Sequence, residues 1–76
     1  MNKNKTLKEL ALEYEDYILQ NEENIASVKN KIKTAQENSD LYLVLELKRT
    51  LAVLYEISRE LKENHEHIMN YNNNDN

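Results

Sequence analysis

The sequence contains no glycine, no proline and no cysteine among its 76 residues. Without glycine or proline, most tight hairpin turns lose their preferred residues, which disfavours a fold of many short strands. The lack of cysteine excludes disulfides, thiolate metal sites and cysteine nucleophiles. These absences fit a reducing compartment, and a cytoplasmic location is the expectation.

The residues that are present favour helices. Leucine, glutamate, lysine and alanine are abundant, and the net charge of −4 argues against broad electrostatic attachment to nucleic acid or an anionic membrane. No apolar run approaches the roughly 18 residues of a membrane span. The N-terminal letters MNKNKTLKEL lack the apolar segment of a signal peptide. Plentiful asparagine, lysine, isoleucine and tyrosine, whose codons are AT-rich, indicate an AT-rich genome or mobile element.

The first periodic segment begins with the letters TLKE, in which Thr6 and Glu9 have the spacing of a capping box. From there, mostly apolar residues follow in steps of four and three, the heptad spacing of a coiled-coil helix. Asn21 is the strongly polar member of this seam. The pattern predicts a helix over residues 6–38, with a seam of Leu7, Ala11, Tyr14, Ile18, Asn21, Ile25, Val28, Ile32 and Ala35.

A break follows at the letters QENSDL. Asn38 is expected to take the left-handed conformation that ends a helix, Ser39 to cap the next helix, and Asp40 to lie in its first turn. Residues 1–5 and the Asn-rich residues 71–76 are expected to be disordered tails. The same spacing predicts a second helix over residues 39–70, with a seam of Val44, Leu47, Leu51, Leu54, Ser58, Leu61, His65 and Ile68.

So short a connection makes the two helices antiparallel, so the predicted fold is an all-α, coiled-coil-like two-helix hairpin. With the turn centred on residues 39 and 40, facing residues have numbers that sum to about 79. This register places Asn21 opposite Ser58 and Tyr14 opposite His65, so the polar interruptions of the two seams share layers. Such layers are expected to set the register at a cost in stability.

Apolar residues outside the seam are the main indication of function. The stretch from Leu41 to Ile57 is apolar in more directions than one partner helix covers. A lone hairpin would expose a larger apolar patch than soluble monomers tolerate. We therefore expect a homodimeric four-helix bundle, with a different protein supplying the missing helices as the alternative. The predicted self-association or partner surface comprises Leu12, Leu19, Leu41, Leu43, Leu45, Val53 and Ile57.

Basic residues cluster near the turn, and acidic residues lie toward the free ends. The basic cluster makes binding of RNA or DNA at the hairpin tip the alternative function. Basic residues also suit the last turns of a helix, and runs of charge are usually solvated. The acidic ends are, alternatively, a face for a basic partner. The candidate basic patch comprises Lys29, Lys31, Lys33, Lys48 and Arg49.

No catalytic constellation is apparent in the sequence. It has no Gly-rich phosphate loop, Ser/His/Asp set or nucleotide fingerprint. Glu63 and His67 have ligand spacing with His65 nearby, but two or three weak ligands fall short of the four that a structural zinc site needs. We expect no enzymatic activity, cofactor, metal or small-molecule substrate. The predicted function is a small interaction or regulatory module that self-associates and binds a protein partner.

Overall fold

The computed structural model describes residues 6–74, with side chains as far as residue 71. Two α-helices, α1 (Leu7–Glu37) and α2 (Leu41–Asn74), fold back on each other as a hairpin. The described residues contain no strand. The predicted all-α hairpin is therefore confirmed. The predicted N-terminal tail, residues 1–5, lies outside the described residues, as do residues 75 and 76.

Helix α1 begins with the capping box predicted from the sequence. The backbone N–H of Glu9 donates to Thr6 Oγ1 at 3.1 Å, and the backbone N–H of Thr6 donates to Glu9 Oε1 at 3.1 Å. Two N–H groups that the helix itself leaves without an acceptor are thereby satisfied, which fixes where α1 starts.

The connection between the helices is offset by one residue from the prediction. Ser39, not Asn38, takes the left-handed conformation, with a φ of 58° against −89° at Asn38. The N–H of Ser39 donates to the carbonyl of Gln36 (3.0 Å) and the N–H of Asp40 to that of Ala35 (2.9 Å), which together form a Schellman motif.

Asp40, not Ser39, caps the second helix. Its Oδ1 accepts a hydrogen bond from the N–H of Leu43 at 3.2 Å, and its carbonyl accepts the first helical bond, from Val44, at 3.0 Å. Asp40 therefore completes the end of α1 and the start of α2 at once. Because Asp40 serves both helices, the turn is short and its backbone has little conformational freedom.

Replacing Ser39 by glycine is expected to stabilise the hairpin. A side chain in the left-handed region strains the backbone. Removing this strain outweighs the added flexibility of the unfolded chain, so the free energy of unfolding should rise by about 0.5–1 kcal/mol. Urea unfolding followed by circular dichroism measures the difference. Asn38→Gly is the matched control, because its negative φ requires no glycine and the change should destabilise. An equal response from the two variants would contradict the assignment.

The second helix ends later than the sequence predicted. It continues to Asn74, so residues 71–74 are helical where a disordered tail was expected. Each added residue of a helix gains one backbone hydrogen bond, and asparagine is a weak helix former, not a strong breaker such as proline. With no glycine or proline to end it, α2 extends past its last seam residue.

The seam between the helices is buried where the heptad spacing places it. Every seam position of α1 and α2 is buried or half-buried. The best-packed part lies toward the turn, because the short connection holds the helices together there. The core cluster comprises Val28, Ile32, Ala35 and Val44, with Leu47, Leu51 and Leu54 packed against it.

The hairpin is a single layer of helices. It measures 56 × 25 × 14 Å, and 14 Å is little more than the 10–12 Å diameter of one helix with its side chains. The radius of gyration is 17.1 Å, whereas a compact domain of this length has about 11 Å. Its accessible surface is 6000 Å², against about 4,900 Å² for a compact monomer of the same mass. Both flat faces of the hairpin are therefore open.

Candidate interaction surfaces

A buried polar layer crosses the middle of the seam. Asn21 and Ser58 are only 6% and 8% exposed. Asn21 Nδ2 donates a hydrogen bond to the backbone carbonyl of Leu54 at 2.9 Å. This amide therefore joins α1 to the backbone of α2. Heptad spacing, which aligns side chains only, gave no sign of that acceptor.

Replacing Asn21 by leucine is expected to raise the midpoint of thermal unfolding. The Leu54 carbonyl lies inside α2 and keeps its helical hydrogen bond, so the change leaves no buried group unsatisfied. A buried leucine adds roughly 1–2 kcal/mol of apolar stabilisation. Circular dichroism melting measures the shift, and sedimentation measures any change of oligomeric state.

Asn24→Leu is the matched control for this substitution. Asn24 is exposed, so the same chemical change there buries little surface and should leave the midpoint nearly unchanged. A lower midpoint for Asn21→Leu would mean that the bond to Leu54 contributes more than the burial of a leucine.

A second polar layer lies nearer the free ends. Tyr14 and His65, predicted to face each other, are both half-buried. His65 Nε2 lies 3.1 Å from Glu15 Oε2. The ring of Tyr14 meets Tyr17 edge to face, with centroids 5.8 Å apart. The layer thus contains one polar contact between the helices and one aromatic contact within α1.

The hairpin has two flat faces, one on each side of the plane that contains both helices. On one of them, Lys29 Nζ lies 5.8 Å from the centre of the Tyr55 ring. Lys62 Nζ lies 3.4 Å from Glu22 Oε2 across the same side of the seam. Both contacts join α1 to α2, so they place these four residues on one face, which we call the front face.

The opposite face is defined by a groove beside the turn. Lys31, Thr34 and Leu43 line this groove, which is open to solvent. Residues seven apart in a heptad pattern share one side of a helix, so Ile57, two repeats after Leu43, lies on the same side. We call this the back face.

Both faces carry large exposed apolar side chains. Seven-residue steps from the contacts above assign each side chain to its face. A groove lined by Leu12, Glu15 and Met69 independently joins α1 to α2 on the front face. The front face carries Leu12, Leu19, Leu41, Leu45, Tyr55 and Met69; the back face carries Tyr17, Leu43, Val53, Ile57 and Tyr71.

The apolar residues predicted as one surface are therefore divided between two. Leu12, Leu19, Leu41 and Leu45 lie on the front face, whereas Leu43, Val53 and Ile57 lie on the back face. All seven are exposed. The signal for the division was present in the sequence, because matching flanks of the heptad meet in an antiparallel pair.

The basic residues predicted as one patch are divided as well. A nucleic-acid backbone lying on either face would not meet the whole set. Lys29, Lys33 and Lys48 lie on the front face, Lys31 on the back face and Arg49 on the outer edge of α2.

Neither a metal centre nor a membrane span is found in the part of the chain that the structure describes. No group of three or more histidine or acidic side chains is placed there to hold a metal ion. Glu63 and His67 line one surface depression with Glu66 and Asn70. No helix in residues 6–74 is long and apolar enough to cross a bilayer.

Compared with known proteins, the chain matches no family model, no curated protein and no solved structure. The argument for function therefore depends on the two faces of the hairpin and on the charges that surround them.

Proposed function

We propose that the protein is a small non-enzymatic interaction module, which pairs with a second copy to form a four-helix bundle and binds a protein partner as a dimer. The observation that supports this proposal is the single-layer shape, 14 Å thick, with apolar side chains exposed on both faces. Domains normally bury their apolar side chains between two layers of secondary structure. A second copy supplies the missing layer.

The front face is the better suited of the two to self-association. Leu19 and Leu45 each lie one heptad before a small residue, Ala26 and Ala52, which leaves a recess beside each leucine. Covering roughly 600 Å² of apolar surface contributes about 15 kcal/mol before the entropy costs of association. A chain this short needs such a contribution to be stable.

The back face is the proposed site for a protein partner. In a dimer that packs through its front faces, the two back faces form its outer surfaces. Each presents Tyr17 and Tyr71, a residue type enriched where binding energy is concentrated, beside Val53 and Ile57. Nucleic-acid binding, the alternative function, is less well supported because the basic residues are divided between faces.

Sedimentation equilibrium over a hundredfold range of concentration tests the self-association. We expect a mass twice the 9.1 kDa of the chain, with circular dichroism typical of two long helices. A fully helical monomer over the whole range would contradict the proposal. A poorly helical monomer would mean that another protein, not a second copy, supplies the second layer.

Affinity capture with two matched baits tests partner binding. The wild-type dimer is compared with Val53→Asp, which places a charge at the centre of the back face and leaves the front face intact. We expect a protein in stoichiometric amount on the wild-type bait that is lost from the variant. Identical capture by both baits would contradict a partner site on the back face.

A further inference from the structure

The two ends of the front face differ in charge. Its half nearest the turn carries three lysines and no carboxylate, whereas in the other half three basic residues are balanced by three glutamates. Much of that half is already paired within the hairpin: Lys62 lies 3.4 Å from Glu22, Arg59 lies 2.6 Å from Glu56, and His65 lies 3.1 Å from Glu15. Among the described residues, Glu66 is the front-face glutamate without such a pair. The lysines are Lys29, Lys33 and Lys48; the glutamates are Glu15, Glu22 and Glu66.

Two symmetric arrangements bring the front faces of two copies together. In the parallel arrangement the turns lie at the same end of the bundle, so six lysines crowd around them. In the antiparallel arrangement the turn of each copy lies over the free ends of the other, so its lysines lie against a half whose charges are balanced, and not against the other copy's lysines. Like charges in contact repel each other, whereas opposite charges attract by a similar amount.

We propose that two copies dock antiparallel through their front faces, about a two-fold axis that crosses the hairpin at mid-length. This inference rests on the self-association proposed above and adds its orientation. Three lysines near the turn, which would repel one another in a parallel pair, and Glu66 at the far end of the same face favour a second, reversed copy as the occupant.

Full overlap of the two hairpins determines which residues meet. Helix α2 then packs along its counterpart so that facing residue numbers sum to about 114, and those of α1 sum to about 45. Lys48 accordingly faces the partner's Glu66, and Leu45 faces the partner's Met69. Leu19, near the axis, fits against the partner's Ala26. These three pairings join opposite charges, two apolar side chains, and a large residue with a small one. By the same sums, Lys33 lies opposite the partner's Leu12.

Distances between spin labels distinguish the two orientations. The chain has no cysteine, so Tyr42→Cys provides one labelling site per copy, at an exposed position on the outer edge of α2 and off the front face. The antiparallel dimer places the two labels about 45 Å apart, and the parallel dimer places them within about 30 Å. A short distance would overturn the orientation and leave the dimer standing. The absence of any intermolecular distance would overturn the self-association itself.

Reversing one charge tests the same orientation by the sign of its effect. At low salt, Lys48→Glu should raise the dimer dissociation constant about tenfold. The new glutamate at position 48 would lie opposite the partner's Glu66, and the same repulsion would occur twice in each dimer. The double variant with Glu66→Lys should restore it to within about twofold. Arg49→Glu, the same charge change one residue away and off the face, is the control. Tighter association of Lys48→Glu would place lysine against lysine and overturn the antiparallel arrangement.

Discussion

Replacing Ile32 by alanine is expected to unfold most of the chain in dilute solution. Ile32 is 8% exposed and lies in the core cluster near the turn. Truncating a buried isoleucine to alanine costs about 2–5 kcal/mol, which is comparable with the whole stability of a domain this small. Urea unfolding monitored by circular dichroism measures the loss, and the helical signal should recover partly as concentration rises and association stabilises the fold.

Ile57→Ala is the matched control for this substitution. The residue type is the same, but Ile57 is 38% exposed and lies on the back face, so its truncation should cost only about 1 kcal/mol. If the two variants lost equal stability, the core would not be concentrated near the turn.

Replacing Leu19 by aspartate is expected to dissociate the dimer. Leu19 is exposed in the single hairpin and lies near the middle of the front face, so both copies would carry a carboxylate into the apolar contact. The lost apolar burial and the cost of removing two charges from water should raise the dissociation constant at least about 100-fold. Sedimentation equilibrium measures this change directly.

Val53→Asp is the control that separates the two faces. Leu19 is 57% exposed and Val53 is 58% exposed, so an aspartate at either position should affect the stability of the single hairpin equally. Because Val53 lies on the back face, its replacement should leave the dimer intact. A dimer broken by Val53→Asp and unaffected by Leu19→Asp would mean that the back face is the one that self-associates.

The heptad spacing was sufficient to predict both helices and their shared seam. In a helix that packs against one neighbour, buried residues recur about every 3.5 positions on one side. The apolar residues of the sequence therefore show the same period. Thr6 and Glu9 likewise predict the start of α1, because a capping box is made by two residues at a fixed spacing. These features are local, which is why the chain order alone reveals them.

The turn was predicted one residue out of place because several of its residues suit either role. Asparagine and serine differ little in their preference for a left-handed or capping position, and aspartate caps a helix as well as serine does. The choice among them is made by packing. The layer formed by Ala35 and Val44 fixes where α1 stops and α2 begins, and only the folded hairpin contains that contact.

The residues of the candidate surfaces could be predicted from the sequence, but they were grouped as one surface where the hairpin has two. Exposed leucine, valine and isoleucine side chains can be read from the sequence once the seam is known. Their division into front and back faces follows from the heptad once matching flanks of the two antiparallel helices are paired, a step that the sequence interpretation did not take. The contact of Lys29 with Tyr55 shows the pairing directly. The bond from Asn21 to the Leu54 backbone is different, because no side-chain pattern specifies a carbonyl acceptor.

The left-handed backbone of Ser39 also separates this hairpin from a very different molecule. If residue 39 became helical, residues 7–74 would form one continuous rod about 100 Å long. In that rod the seam of α2 would point to a different side from the seam of α1, because Val44 follows Ile32 by twelve residues, which is not a whole number of heptads. One strained residue and the two caps around it thus decide whether the two seams cover each other or are left on separate sides of one long helix.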